Sequence, residues 1–169
     1  MIRSILFCWV LLCSLSAAAQ PCVDVSKTPE GRKMLVGLIT RSMIIRDTAF
    51  HEFEENGKWF VPQPADVDAL KVKVDSVHFI VIFGTWCHDS QNLLPQFFKW
   101  ADAAGFPEPR ITLIAVDKQK RAAGNFAQAF RVTNTPTFIV MRHGVETGRV
   151  VEYGKSGNLV AELAEIVKK

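Results

Sequence analysis

Cysteine is scarce in this chain: Cys8, Cys13, Cys22 and Cys87 are the only four among 169 residues, and no two of them form a Cys-x-x-Cys pair. Without a second cysteine beside the first, no local dithiol can close a disulfide at one site. The four histidines, His51, His78, His88 and His143, have no paired spacing, so the four-ligand set of a structural zinc site is missing and no metal is expected. Blocks of like charge are missing too. Twenty Lys and Arg residues are interspersed with 17 Asp and Glu residues for a net charge of +3, and no basic run marks a nucleic-acid surface. Gly154-Lys155-Ser156 lacks the earlier glycine of a phosphate loop, because position 149 is Arg. Cys-His hydrolysis would need a third orienting group in a recognisable signature, and there is none. These absences leave a chain expected to use no cofactor.

The first nineteen residues differ in character from the rest. Arg3 gives a basic start, an apolar stretch runs from Ile5 to Leu15, and Ser16-Ala17-Ala18-Ala19-Gln20 supplies small residues at an A-x-A site. This is the pattern of a secretory signal peptide cleaved after Ala19. The apolar run is shorter than the roughly 20 residues a membrane span requires, so no stable membrane insertion is expected after cleavage. Cleavage removes Cys8 and Cys13 and leaves Cys22 and Cys87.

Of these two, Cys87 has the setting of a nucleophile. Phe79-Ile80-Val81-Ile82-Phe83 is a short apolar run rich in β-branched and aromatic residues, which reads as a buried strand; Gly84 and Thr85 break it. Gln91-Asn92-Leu93-Leu94-Pro95-Gln96-Phe97-Phe98 then follows a helical pattern to about Gly105. Cys87 falls where strand hands over to helix. Unpaired N–H groups and the positive end of the helix dipole favour negative charge there. His88 and Asp89 flank the cysteine with opposite electrostatic influence and are candidate modulators.

Trp86-Cys87-x-x-Ser90 at such a junction resembles the active site of the thioredoxin superfamily. Pro95 falls inside the helix where thioredoxins carry a kinking proline, and Thr135-Pro136-Thr137 resembles their cis-proline loop. More narrowly, Gly84-Thr85-Trp86-Cys87-x-Asp89-Ser90 is similar to a bacterial group of exported thioredoxin-like proteins with Ser in place of the second Cys, which implies a periplasmic location. The resemblance implies an α/β thioredoxin fold, a central mixed sheet flanked by helices, over residues 65–169. It also implies that Trp86, Thr135 and Pro136 bind substrate, with the backbone of residue 135 pairing with an extended peptide. The acidic residue that thioredoxins place below the active site is absent, since the matching stretch is Ile80-Val81-Ile82.

Around this centre the chain divides into a signal segment (1–19), an N-terminal tail, helix and connector (20–64) and the thioredoxin-like domain. From Thr28-Pro29-Glu30 to about Asp47 the pattern predicts a helix, with Thr28 as N-cap, Pro29 at the first position and Leu35, Leu38, Ile39, Met43 and Ile45 on one side. His51 to Pro64 reads as a connector with a tight turn at Asn56-Gly57, anchored by Trp59 and Phe60 or lending them to a substrate groove. Asp66 to Val74 reads as a helix. Arg110 to Asp117 reads as a second strand, completing a βαβ unit. A helix over Arg121–Phe130, strands over Thr137–Arg142 and Thr147–Tyr153, and a final helix ending near Val167 complete the prediction.

Ser90 cannot resolve a mixed disulfide, but its hydroxyl can hydrogen-bond Cys87. Cys22 is the candidate resolving cysteine; its other reading is a thiol at a frayed N-terminus. The expected function is thiol-disulfide oxidoreduction or isomerisation through Cys87 alone. Its partners would be protein disulfides or glutathione mixed disulfides, with extended peptide segments in the groove. The alternative is a non-catalytic, redox-sensitive module that binds extended peptides in the same groove.

Overall fold

The computed structural model of the chain describes residues 23–169. The signal segment and Cys22 lie outside the described residues. At the centre, β3 (Val77–Phe83) pairs in parallel with β4 (Ile111–Ala115) and antiparallel with β5 (Thr137–Arg142), which continues through a hairpin into β6 (Val145–Val151). The hairpin turns at His143 and Gly144, with φ of 50° and 79°. Two consecutive left-handed residues match the twist of a two-residue hairpin loop. β3 is buried along most of its length because helices cover both of its faces, which explains its near-continuous apolar sequence.

One face carries the larger core. Helix α4 (His88–Ala103) lies there with α3 (Pro64–Lys71) and α6 (Leu159–Lys168), and Phe79, Phe97, Trp100 and Phe138 are fully buried between them. Asn158 caps α6, its side chain accepting from Ala161 N–H at 3.1 Å. The other face holds a smaller cluster of Ile82, Ile114, Val116, Ala127 and Ile139 under the short helix α5 (Phe126–Ala129). The sequence predicts a helix over Arg121–Phe130. Positive φ at Gly124 and Asn125 confines the regular part of it to those four residues.

The N-terminal region departs from its predicted helix. Residues 23–39 form a β-hairpin, β1 (Val23–Lys27) and β2 (Lys33–Ile39), and helix appears only at α1 (Arg41–Ile45). Thr28-Pro29-Glu30-Gly31 is the turn: Gly31 N–H donates to Thr28 O at 2.8 Å, and Gly31 takes φ +83°. Proline followed by glycine two residues on serves a tight turn as well as Thr-Pro serves a helix start. Leu35, Gly37 and Ile39 are buried while Leu38 is exposed, a period of two rather than 3.6. β2 pairs antiparallel with β4, giving the sheet order β1-β2-β4-β3-β5-β6.

The predicted connector is likewise ordered. His51–Gly57 is helix α2, packed on α4. Asn56-Gly57 ends that helix rather than forming an isolated turn. A Cβ at Gly57 would come within 2.6 Å of Pro95 Cβ, so the absence of a side chain lets the two helices close. Lys99 Nζ donates to the carbonyls of Lys58 at 2.9 Å and Phe60 at 3.3 Å. Trp59 is 85 % exposed and anchors nothing, whereas Phe60 packs against the core.

Lys118 Nζ holds both carboxylate oxygens of Glu30, at the hairpin tip, at 3.0 Å. This ammonium, together with the Thr28 hydroxyl, holds the Glu30 carboxyl down at about 2. A lowered folded-state value means the tether is fully formed above the ordinary carboxylate range and is lost as pH falls towards 2. In a carbon-detected NMR titration, Glu30 should titrate near pH 2 in the native chain and return towards 4.5 in Lys118→Ala.

Candidate active site

β3 ends at Phe83, and Gly84-Thr85-Trp86 carries the chain to Cys87, the N-cap of α4. Cys87 has extended backbone angles (φ −86°, ψ 124°), its N–H donates to Gly84 O at 3.0 Å, and its carbonyl accepts from Gln91 N–H at 3.0 Å. Its side chain caps nothing, and the residue is half-buried. Gly84 is required by its neighbour: a Cβ there would meet the Trp86 indole at 2.6 Å. That indole is pinned in turn by its N–H, which donates to Val116 O at 2.9 Å.

Across from the helix start lies the loop before β5. The Thr135–Pro136 peptide bond is cis, and Thr135 O accepts a hydrogen bond from Cys87 Sγ at 3.2 Å. Pro136 O is taken by Glu152 N–H at 2.8 Å, while Glu152 Oε1 accepts from Asn134 Nδ2 at 3.0 Å. Thus the residues predicted from the strand-to-helix junction and from Thr-Pro, forty-eight positions apart, meet at one sulfur.

The thioredoxin family model matches residues 65–165. The chain belongs to the thioredoxin family. A thioredoxin from Echinococcus granulosus is 30% identical over 99 residues, covering 57% of this chain and 87% of that protein. Among solved structures, an HIV epitope scaffold aligns with a TM-score of 0.55 at 16% identity, covering 78% of this chain and 93% of the scaffold, a likeness of fold. Oxidized thioredoxin O2 from Arabidopsis thaliana aligns at 17% identity, over 64% and 89% of the two chains, with a TM-score of 0.40. Thiol-disulfide redox chemistry of the thioredoxin kind follows from membership. The β1–β2 hairpin, α1 and α2 lie outside the matched residues.

Within this thioredoxin-family site, Ser90 differs from expectation. Its side chain is fully buried, and Oγ accepts from Gly84 N–H at 3.3 Å. The hydroxyl therefore braces the loop, and Cys87 Sγ makes its hydrogen bond to Thr135 O instead. His88 is exposed and turned along the helix, with Nε2 3.1 Å from Asn92 Nδ2, which also reaches Tyr153 Oη at 3.2 Å. Asp89 is half-buried in the first turn of α4. The other histidines are engaged elsewhere: His51 Nδ1 with Thr48 O, His78 Nε2 with Thr112 Oγ1, and His143 in the far hairpin turn. Burial and the nearby Arg110 charge push the His78 imidazole below its ordinary value.

Two functional supports escape the sequence reading. Gln91 Nε2 donates to Thr85 O at 2.9 Å from a buried position, and Thr85 Oγ1 accepts from Leu35 N–H at 3.2 Å. Thr85 thus joins the active-site loop to β2 across fifty residues of sequence, a pairing no local pattern reveals. Replacing Thr85 with valine keeps the shape and removes the acceptor, leaving a buried N–H unpaired. The expected cost is about 1–3 kcal/mol in denaturant unfolding, with faster amide exchange at Leu35.

Proposed function

We propose that this chain is an exported thiol-disulfide oxidoreductase or isomerase that works through one nucleophilic sulfur, Cys87. The observation that carries this reading is the placement of Cys87 Sγ, uncapped at the start of α4 and 3.2 Å from the carbonyl of Thr135 beside the cis bond to Pro136. The Cys87 thiolate attacks a disulfide R–S–S–R′, forms the mixed disulfide Cys87–S–S–R and releases R′S⁻. An external thiol, such as glutathione, then attacks the sulfur of R, regenerating the Cys87 thiolate and carrying R away as a new disulfide. No dithiol is required within the chain, which fits Ser90 one helical turn after Cys87.

The first backbone turn of α4 presents N–H groups towards developing negative charge on Cys87. Thr135 offers its carbonyl and N–H to a substrate strand, once a thiolate no longer donates to that carbonyl. Trp86, pinned to Val116, supplies an apolar platform beside the sulfur.

Exposure of the chain to glutathione disulfide, followed by intact mass and peptide mapping, tests the proposal. Expected is one glutathione adduct on Cys87, cleared by added glutathione. A Cys22–Cys87 bond would assign resolution to the N-terminal cysteine and overturn the single-sulfur cycle. An unreactive Cys87 would overturn catalysis and leave a peptide-binding module.

A further inference from the structure

The register of the sheet sets the β1–β2 hairpin apart from the strands beside it. β2 meets β4 only through Gly37, Leu38 and Ile39, paired with Ala115, Ile114 and Leu113. Ala115 is also level with Phe83, the last residue of β3 before the active-site loop. Lys33 lies four residues beyond Gly37 in the same direction, and at about 3.3 Å per residue the hairpin tip stands about 13 Å past the end of the sheet. It projects on the side from which Cys87 emerges.

Two bonds hold this arm upright. Thr85, two residues before Cys87, receives Leu35 N–H, and Lys118, two residues after the carbonyl that pins Trp86, grips Glu30 at the tip. In the strand order, Cys87 rises above β3, the Thr135–Pro136 loop above β5, and the hairpin with the 117–121 loop above β2 and β4. Cys87 therefore lies between two flanking walls, and the hairpin part of the second lies outside the residues matched by the thioredoxin family model.

The hairpin wall has a surplus of positive charge. On the hairpin side the acids are already engaged: Glu30 with Lys118, Asp47 with Lys33 and Asp117 with Arg121. Lys27 and Arg32 at the tip, and Lys120 in the loop tethered to it, have no ion-pair partner among the described residues. Asp24 stands at the opposite end of β1, beside Val36. Val25, whose pairing partner Leu35 belongs to the core, is 58 % exposed and adds an apolar contact below the cations. The opposite wall carries Glu152 together with Arg131 and Lys155 in the adjoining loops, and Asp89 lies in the helix between.

We propose that the β1–β2 hairpin is a recognition arm that binds an acidic stretch of a polypeptide whose disulfide is presented to Cys87. This rests on the thiol-exchange reading for its purpose but concerns a separate surface. Three cations without ion-pair partners among the described residues, on an arm fixed to the nucleophile's loop, attract an acidic chain electrostatically, and the cis-proline wall receives the remainder.

The test uses two synthetic peptides, each with one cysteine held as a mixed disulfide to thionitrobenzoate. One has a run of Asp and Glu on one side of the cysteine, and the other has Ser and Gly there. Attack by Cys87 forms a Cys87–peptide disulfide and releases the coloured thiolate, which is counted directly. The acidic peptide should react about tenfold faster at low salt, with the advantage shrinking as ionic strength rises. Joint Lys27→Glu, Arg32→Glu and Lys120→Glu substitution should remove that advantage while the neutral peptide keeps its rate, and circular dichroism checks that the variant is folded. Arg32→Glu alone should give a partial loss should the triple variant fail to fold. Fluorescence anisotropy with a cysteine-free acidic peptide measures the arm independently of Cys87, so an inert thiol and an inert arm give different results. Equal rates and equal binding for the two peptides, or a preference that survives charge reversal, would overturn the proposal.

Discussion

Cys87→Ser is expected to reduce disulfide exchange to the rate of free glutathione alone. An alkoxide is not accessible near neutral pH, and no other described cysteine is present to take over the attack. The companion change, Ser90→Cys, should act in the opposite sense. Positions 87 and 90 are one helical turn apart, within the Cα separation a disulfide can bridge. A second thiol there competes with external glutathione for the Cys87–substrate disulfide at a high effective concentration, shortening the life of that species by about a hundredfold or more. Release would then yield a disulfide between Cys87 and the introduced sulfur, together with a reduced product. Quenched-flow trapping with mass detection reads both lifetimes; an unchanged lifetime in Ser90→Cys would mean that the buried position, braced against Gly84, holds the new sulfur away from Cys87.

What Ser90 does in the native site follows from the same bracing. The hydroxyl fills a fully buried position and satisfies the Gly84 N–H, so the loop ahead of Cys87 is held from within the helix that follows it. Gln91 does likewise through Thr85 O, and Trp86 through Val116 O. Each of these side chains spends its hydrogen bond on backbone and not on the sulfur. The one group in hydrogen-bond contact with Cys87 Sγ among the described residues comes from the far loop, at Thr135.

The central fold and the strand-to-helix junction that holds Cys87 are legible in the sequence because their signals are local. A run such as Phe79–Phe83 broken by Gly84 encodes a strand end, and the periodic residues after Cys87 encode α4; both lie within a few positions of the residue that matters. The N-terminal hairpin is not legible in this way. Thr28-Pro29-Glu30-Gly31 satisfies a helix start and a hairpin turn equally well, and Leu35, Leu38 and Ile39 fit a helical face nearly as well as an alternating one. The choice is made by long-range bonds, from Leu35 to Thr85 and from Glu30 to Lys118. α2 is hidden for a related reason. Asn56-Gly57 carries a strong turn signal, but Gly57 is there for its contact with Pro95 on a distant helix. Ser90 and Tyr153 show the same limit in the site, since a serine's partner and a tyrosine's reach depend on where the backbone places them.

Phe79→Ala is expected to be the most damaging single change to the fold, at about 3–5 kcal/mol. Phe79 lies in the central strand, level with Ile111 on one side and Val140 on the other, and is fully buried. Its ring meets Phe97 at 5.1 Å, Phe106 at 5.1 Å and Trp100 at 5.7 Å, all edge-on. Truncation removes the transfer energy of a phenyl group, three edge-to-face contacts and the packing of a position with helix on one side and sheet on the other. The neighbours cannot collapse to fill the space, because Trp100 is fixed by its N–H to Asp66 O at 2.8 Å and β3 is held by strands on both edges. With total stabilities of about 5–15 kcal/mol for domains of this kind, such a loss is a large share of the whole. The thermal midpoint should fall by about 2–4 °C for each kcal/mol lost. Phe79→Leu, which keeps most of the volume, should cost much less. At low temperature the folded fraction of Phe79→Ala should still react with glutathione disulfide at the native rate, because the substitution lies four residues below the strand end and Cys87 is held by bonds to Gly84, Gln91 and Thr135. A loss below about 1 kcal/mol would mean that the aromatic cluster closes over the gap, contrary to the fixed positions of its members.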